Sequence, residues 1–287
     1  MTESGSPQEL RHLWRTSRRT IDLSGRPLIM GILNVTPDSF SDGGLWRDTE
    51  QAVAHAVTMA EQGADIIDIG GESTRPGSVG VSLDEELRRV MPVVERLVPL
   101  LNIPLSIDTT KSGVAARALA AGVEIVNDIA GLTFEAEMAD VVADSHAGLV
   151  VMHTRGRPLT MQHDTSYEEV VAEVSAGLAA SLQQALSSGI TAEQIVLDPG
   201  IGFGKERTGN LELLRHLREL LQLGRPLLVG SSRKGFTATA AGRTVRSRLF
   251  TTAATVALAV ANGATLLRVH DVAAMRDVAD MAWEIAG

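Results

Sequence analysis

The sequence predicts a single (β/α)8 TIM barrel with a short N-terminal extension. Three observations predict it. Short runs rich in Val, Ile and Leu recur eight times along the 287 residues, as a parallel sheet buried on both faces requires. A helical pattern follows each run, and alternating β and α implies an α/β fold; eight units at this length match one closed barrel better than an open doubly wound sheet. The runs end in Asp, Asn, Arg, His, Lys and Gly, and barrel active sites sit at the C-terminal ends of the strands.

The first run, Leu28 to Leu33, gives way to a stretch from Asn34 to Gly44 so rich in turn residues that it reads as a long loop. A helix follows from about Asp48 to Gln62, stopped by Gly63. The second strand is Ala64 to Ile69. Ser82 and Glu85 then have capping-box spacing, opening a helix that runs to about Leu101. Pro104 to Ile107 is the third strand, before a helix from Lys111 to Ala121. Val123 to Val126 is the fourth, before a short helix from Glu135 to Ala143. Leu149 to Met152 is the fifth, with its helix from about Ser166 to Ser188. Ile195 to Leu197 is the sixth, with its helix from about Asn210 to Leu221. Leu227 to Val229 and a helix from Leu249 to Ala261 form the seventh unit. Thr265 to Leu267, leading into Arg268-Val269-His270, and a last helix form the eighth.

Composition excludes several classes. Without cysteine there is no disulfide, thiolate catalyst or cysteine-ligated zinc. A formal net charge of -9 argues against a nucleic-acid partner. No apolar stretch spans a bilayer and the N-terminus lacks an apolar signal core, so no membrane partner and a cytoplasmic location are expected. Residues 1–20, with Arg11, Arg15, Arg18 and Arg19, read as a solvated extension, partly helical or disordered, with a binding arm as the alternative. Residues 21–287 form the barrel domain.

The strand ends supply Asn34, Thr74, Asp108, Asn127, Asp198, Lys234, Arg268 and His270. Singly, each has an ordinary explanation: Asp108 as a helix cap, Asn127 as a turn residue, Arg268 as a snorkelling side chain, His270 as a satisfied histidine, Met152 and Phe203 as packing. Together they exceed what a barrel needs at one rim. Asp108, Asn127 and Asp198 offer acceptors suited to a flat, donor-rich heterocycle. Lys234, Arg268 and His270 suit an anion such as phosphate. Asn34 suits magnesium, which takes oxygen ligands and accompanies polyphosphates. Residue types alone imply a small polar heterocycle bearing a phosphate or diphosphate, and do not name it.

Seven motifs, in order and each at a strand end, carry a family resemblance: Asn34 to Gly44, Gly71 to Gly77, Ser106-Ile107-Asp108-Thr109, Val126-Asn127-Asp128, Asp198-Pro199-Gly200-Ile201-Gly202-Phe203-Gly204-Lys205, Ser232-Arg233-Lys234, and Arg268-Val269-His270-Asp271. From Leu28 onward the chain resembles dihydropteroate synthase, the folate-pathway transferase that joins 6-hydroxymethyl-7,8-dihydropterin diphosphate to 4-aminobenzoate. The resemblance implies that Asp108, Asn127, Asp198 and Lys234 bind the pterin, with Met152 on its ring. It implies that Asn34 is associated with Mg2+ and that Arg268 and His270 contact the diphosphate. It places Thr74, Arg75, Pro76, Phe40 and Phe203 about the aminobenzoate, assigns catalysis to Asp108, Lys234 and Arg268, and implies a homodimer and a sulfonamide target. Two positions depart from the family pattern. Gly235 stands where serine is common, which implies either altered handling of aminobenzoate and of sulfonamides or neutral drift, with backbone amides carrying the contact. Thr251 stands where glycine is common, at the start of the seventh helix. A pterin-binding methyltransferase and a non-catalytic pterin-binding paralogue are the alternatives.

Overall fold

The computed structural model describes residues 12–36, 45–237 and 248–286. An antiparallel hairpin, β1 (Leu13–Arg15) and β2 (Thr20–Asp22), precedes the barrel. Eight parallel strands follow: β3 (Leu28–Asn34), β4 (Ile66–Gly70), β5 (Leu105–Asp108), β6 (Ile125–Asp128), β7 (Gly148–Met152), β8 (Ile195–Asp198), β9 (Leu228–Val229) and β10 (Leu266–Val269). They lie in the order β8-β7-β6-β5-β4-β3-β10-β9. A parallel bridge between Leu197 and Leu227 closes the ring, and the Leu197 N–H donates to the Pro226 carbonyl at 2.9 Å. The predicted eight-stranded barrel is thus present.

Around it lie α1 (Leu45–Glu61), α2 (Leu83–Leu97), α3 (Ser112–Ala121), α4 (Glu137–Ser145), α5 (Val170–Ser187), α6 (Arg207–Arg215), the single turn α7 (Leu217–Leu220), α8 (Leu249–Ala261) and α9 (Val272–Ala286). Three helix starts bear on the expectations, and only one of them moves. The capping box is half formed: Ser82 Oγ accepts the Glu85 N–H at 3.2 Å, but the Glu85 carboxylate turns to Arg88 and Arg89 instead of back to the cap. Helix α5 starts at Val170, not Ser166, because Glu173 folds back to accept the N–H groups of Glu168 and Glu169 at 2.8 and 3.1 Å, donors that a longer helix would leave open. Thr251 does not disturb the start of α8, since its hydroxyl donates to the Arg248 carbonyl at 3.0 Å.

Alternate residues along each barrel strand face outward and inward. Outward residues such as Ile29, Ile67, Ile107, Val126, Val151 and Leu197 pack against the helices. The inward set Met30, Ile66, Ile125, Val150, Val196, Leu228 and Leu266 forms a separate apolar layer. Two residues further along the same strands, the inward positions become Asp68, Asn127, Met152, Asp198 and Arg268. The barrel interior therefore changes from apolar to polar within one step of the strand period.

The apolar layer is sealed from below by the hairpin. Trp14, wholly buried, packs on it with Leu23, and its indole N–H donates to the Gln194 carbonyl at 2.8 Å. Arg19 donates to both oxygens of Glu124 at 2.9 and 2.6 Å, and Thr16 donates to the same carboxylate at 2.7 Å. The reading of residues 1–20 as a solvated extension therefore differs from the structure over residues 12–20. The apolar tryptophan outweighs the arginines around it, because only Trp14 has a matching unsealed surface to cover. Arg11 lies outside the described residues.

Candidate active site

The polar step of the barrel interior assembles a connected network. Arg268, on β10, donates from Nε to Asp68 Oδ2 at 2.6 Å and from Nη2 to Asp108 Oδ2 at 2.5 Å. Asn127, on β6, donates from Nδ2 to the same Asp68 oxygen at 3.0 Å. Asp68 Oδ1, Asp108 Oδ1 and the Ser106 hydroxyl are buried with no partner among the described residues. Buried polar atoms are seldom left without a partner, so these three call for an explanation.

On the other side of the mouth the Asp198–Lys205 loop brings backbone into the site. Asp198 Oδ1 accepts the Gly200 N–H at 2.7 Å, closing the turn. Gly200 and Gly202 both have positive φ, and a Cβ would strike the His153 carbonyl at the first and Lys234 Cδ at the second. Lys205, 4% exposed, holds the loop down: its ammonium donates to the carbonyls of Gly200 and Phe203 at 3.0 Å and of His153 at 3.3 Å. Lys234 donates to the Ile201 carbonyl and lies 4.2 Å above the Phe203 ring. Met152, Phe203, Ile129 and Met161 form a small apolar cluster beside these charges.

Burial sets the electrostatics. It pushes the Asp108 carboxyl up to about 7, against the pull of Arg268, and raises Asp198 against Lys234. It brings the ammonium groups of Lys234 and Lys205 down to about 7, each opposed by Asp198. Burial also works against the Arg268 charge, but Asp68 and Asp108 outweigh it and hold the guanidinium more firmly protonated than usual. His270 falls to about 3, through burial first and then Arg233 and Arg268, so it is a neutral imidazole; its Nδ1 lies 3.0 Å from Ser232 Oγ.

Asp108, Asn127, Met152, Asp198, Lys234 and Arg268 thus share one mouth, with Phe203 beneath Lys234. Asn34 ends β3 beside Gly70 of β4. Thr74 is half-buried, while Arg75 and Pro76 stand exposed on the loop after β4. That loop is tied across the rim where the Gly77 N–H donates to the Pro158 carbonyl at 3.0 Å. Its base is fixed by Lys111, which donates to Glu72 and Glu86 at 2.6 Å each. Phe40 lies outside the described residues. Two residues escaped the sequence reading. Asp68 was hidden inside an apolar run, although it shares the inward parity of Ile66; Lys205 was seen only as the end of a motif.

The comparisons agree with one another. Residues 30–270 match the family described as "Pterin binding enzyme". A dihydropteroate synthase of Synechocystis is 49% identical over 266 residues, covering 91% of this chain and 92% of that one. The structure of Xanthomonas albilineans dihydropteroate synthase with 4-aminobenzoic acid superposes with a TM-score of 0.89 at 44% identity, over 96% of this chain and 98% of that one. The same enzyme in complex with 7,8-dihydropteroate gives a TM-score of 0.86 at 42% identity, over 95% and 98%. A continuous match over sequence and barrel has one consequence: this chain belongs to the dihydropteroate synthases of the pterin-binding enzyme family.

Proposed function

We propose that the chain condenses 6-hydroxymethyl-7,8-dihydropterin diphosphate with 4-aminobenzoate, giving 7,8-dihydropteroate and pyrophosphate. The observation that carries this reading is the buried arc of Asp108, Asn127 and Asp198 facing Lys234 and Arg268 across one mouth. A pterin ring presents donors and acceptors along its edge and two flat faces. The carboxyl and amide groups suit the edge, and Met152 suits a face. The aminobenzoate ring belongs above it, near Phe203 and the loop that carries Thr74, Arg75 and Pro76.

In the reaction the bond from the pterin methylene to the diphosphate oxygen breaks, and the amine nitrogen of aminobenzoate bonds to the methylene and then loses a proton. Positive charge that develops on the methylene spreads into the pterin, where the carboxylates of Asp108 and Asp198 stabilise it. The amine needs no strong base, because its lone pair is available. Arg268 supplies charge towards the departing diphosphate through its outer nitrogens, and His270, neutral, supplies a hydrogen bond rather than a charge. Among the described residues no cluster of three acidic, histidine or cysteine side chains forms a metal cage. Asn34 contributes one neutral oxygen, which fits magnesium held mainly by diphosphate and water. Asn34 would hold such an ion through its side-chain oxygen, and the ion would supply charge neutralisation for the leaving group.

We also propose a cytoplasmic homodimer. Helix α8 contains no charged residue and exposes Phe250, Ala254 and Leu258 at four-residue spacing, with Phe250 77% exposed. Such a stripe suits a self-complementary interface. No helix among the described residues is long and apolar enough to cross a membrane.

Pyrophosphate release with both substrates tests the reading. We expect release that depends on each substrate and is inhibited by a sulfonamide. Pterin binding without release would overturn it in favour of a non-catalytic binding protein.

A further inference from the structure

Asp68 is the deepest carboxylate at the mouth: it is fully buried, on the inward face of β4. No reading of the strand ends includes it, because it lies two residues short of the end. Its Oδ2 accepts from both Arg268 Nε and Asn127 Nδ2. A buried ion pair is a poor source of stability, since apolar side chains of similar volume do as well. A carboxylate placed under two candidate substrate contacts asks for another explanation.

Two constraints follow from its chemistry. A carboxylate only accepts hydrogen bonds, so Asn127 must turn its NH2 group towards Asp68 and its amide oxygen away. The orientation of that amide is otherwise ambiguous by shape alone. Asp68 therefore decides that Asn127 meets the substrate as an acceptor. Arg268 is held by two carboxylates on different nitrogens. The Nε contact with Asp68 lies at the root of the guanidinium, and the Nη2 contact with Asp108 at its tip. The root contact fixes the plane; the tip contact can be exchanged for a substrate group without losing that plane.

We infer that Asp68 is a positioning residue for the condensation: it sets the amide polarity of Asn127 and anchors Arg268 by Nε, so that both meet the pterin diphosphate preorganised. This rests on the reading of the mouth as the pterin site and adds to it a residue that touches no substrate atom.

The test is Asp68→Asn, nearly isosteric, in the full-length protein. The variant removes the charge under Arg268 and lets the Asn127 amide turn over. We expect kcat/KM for the pterin diphosphate to fall at least about 100-fold, KM for 4-aminobenzoate to stay within about twofold, and 6-hydroxymethylpterin to bind at least about 10-fold more weakly by calorimetry. Native pterin affinity and native kcat/KM in a folded Asp68→Asn protein would overturn the inference. So would equal losses for both substrates with unchanged pterin affinity, the result of a merely structural role. If Asp68→Asn does not fold, Asp68→Ser is measured in the same way and read by the same outcomes. The native protein is the control: absence of pyrophosphate release there refutes the proposed reaction, whereas native release with an unaffected variant refutes only the role of Asp68.

Discussion

At the N-terminal end of the barrel, Trp14, Glu124 and Gln194 are buried polar groups whose partners all lie within the chain. At the C-terminal end, Asp68, Ser106 and Asp108 are buried just as deeply, and each has an oxygen left over. The lower groups sit on the hairpin and just before β6 and β8, the upper ones on β4 and β5. The hairpin brings its own apolar cover and charge partners to the lower end. The upper end is lined with groups that the fold satisfies only in part. A carboxylate in such a place destabilises the protein unless a ligand repays it, so its presence reports chemistry rather than architecture. The two ends show stability and function separated along the axis of one sheet.

The largest test of that separation is at the top. Asp108→Ala or Arg268→Ala is expected to lower turnover by orders of magnitude, about 2.7–4 kcal/mol in the barrier for one well-placed electrostatic contact, with the thermal unfolding transition retained. Near-native turnover in either purified variant removes that residue from its assigned role. At the bottom the signs reverse. Trp14→Ala is expected to cost about 3–5 kcal/mol of stability, measured by denaturant titration, while turnover per folded molecule stays within about twofold. A loss of turnover in fully folded Trp14→Ala would break the comparison.

A smaller effect concerns acid. Burial holds His153 at about 3, against 6.5 for an unperturbed imidazole, and its Nδ1 has no partner among the described residues. Between those values the unfolded chain binds the proton that the folded chain refuses. This contribution to stability is therefore full above about pH 6.5 and is lost as pH falls towards 3. His153→Gln is expected to flatten the fall of melting temperature with acidification, and an unchanged slope would show that the ring titrates normally. The smallest effect belongs to Gly235, where an added Cβ meets nothing within 4 Å among the described residues. Gly235→Ser is expected to leave stability within about 0.5 kcal/mol and to change sulfonamide inhibition; unchanged inhibition means that the missing hydroxyl has no role there.

The barrel was legible because its signal is redundant: eight apolar runs each have to be buried, and a boundary moved by a few residues, as at Val170, changes nothing. The rim was legible where a polar residue terminates a run, as at Asp108, Asn127 and Asp198. Asp68 was not, since termination was the criterion and Ile69 follows it. Counting by twos from Ile66 finds it at once. Trp14 was missed for a different reason. The hairpin has three-residue strands, too short for alternation to show, and its purpose depends on an open barrel end that no local window contains.

The passage from apolar to polar inside the barrel has a thermodynamic consequence. The lower layer is a finished core, whereas on the proposed function the upper layer is finished only when a flat, hydrogen-bonding ring lies among Asp108, Asn127, Met152 and Asp198. The substrate is then part of the folded interior, and its binding free energy adds to the free energy of folding. At a hundred times its dissociation constant a pterin ligand adds about 2.7 kcal/mol, so resistance to unfolding rises and falls with the supply of pterin.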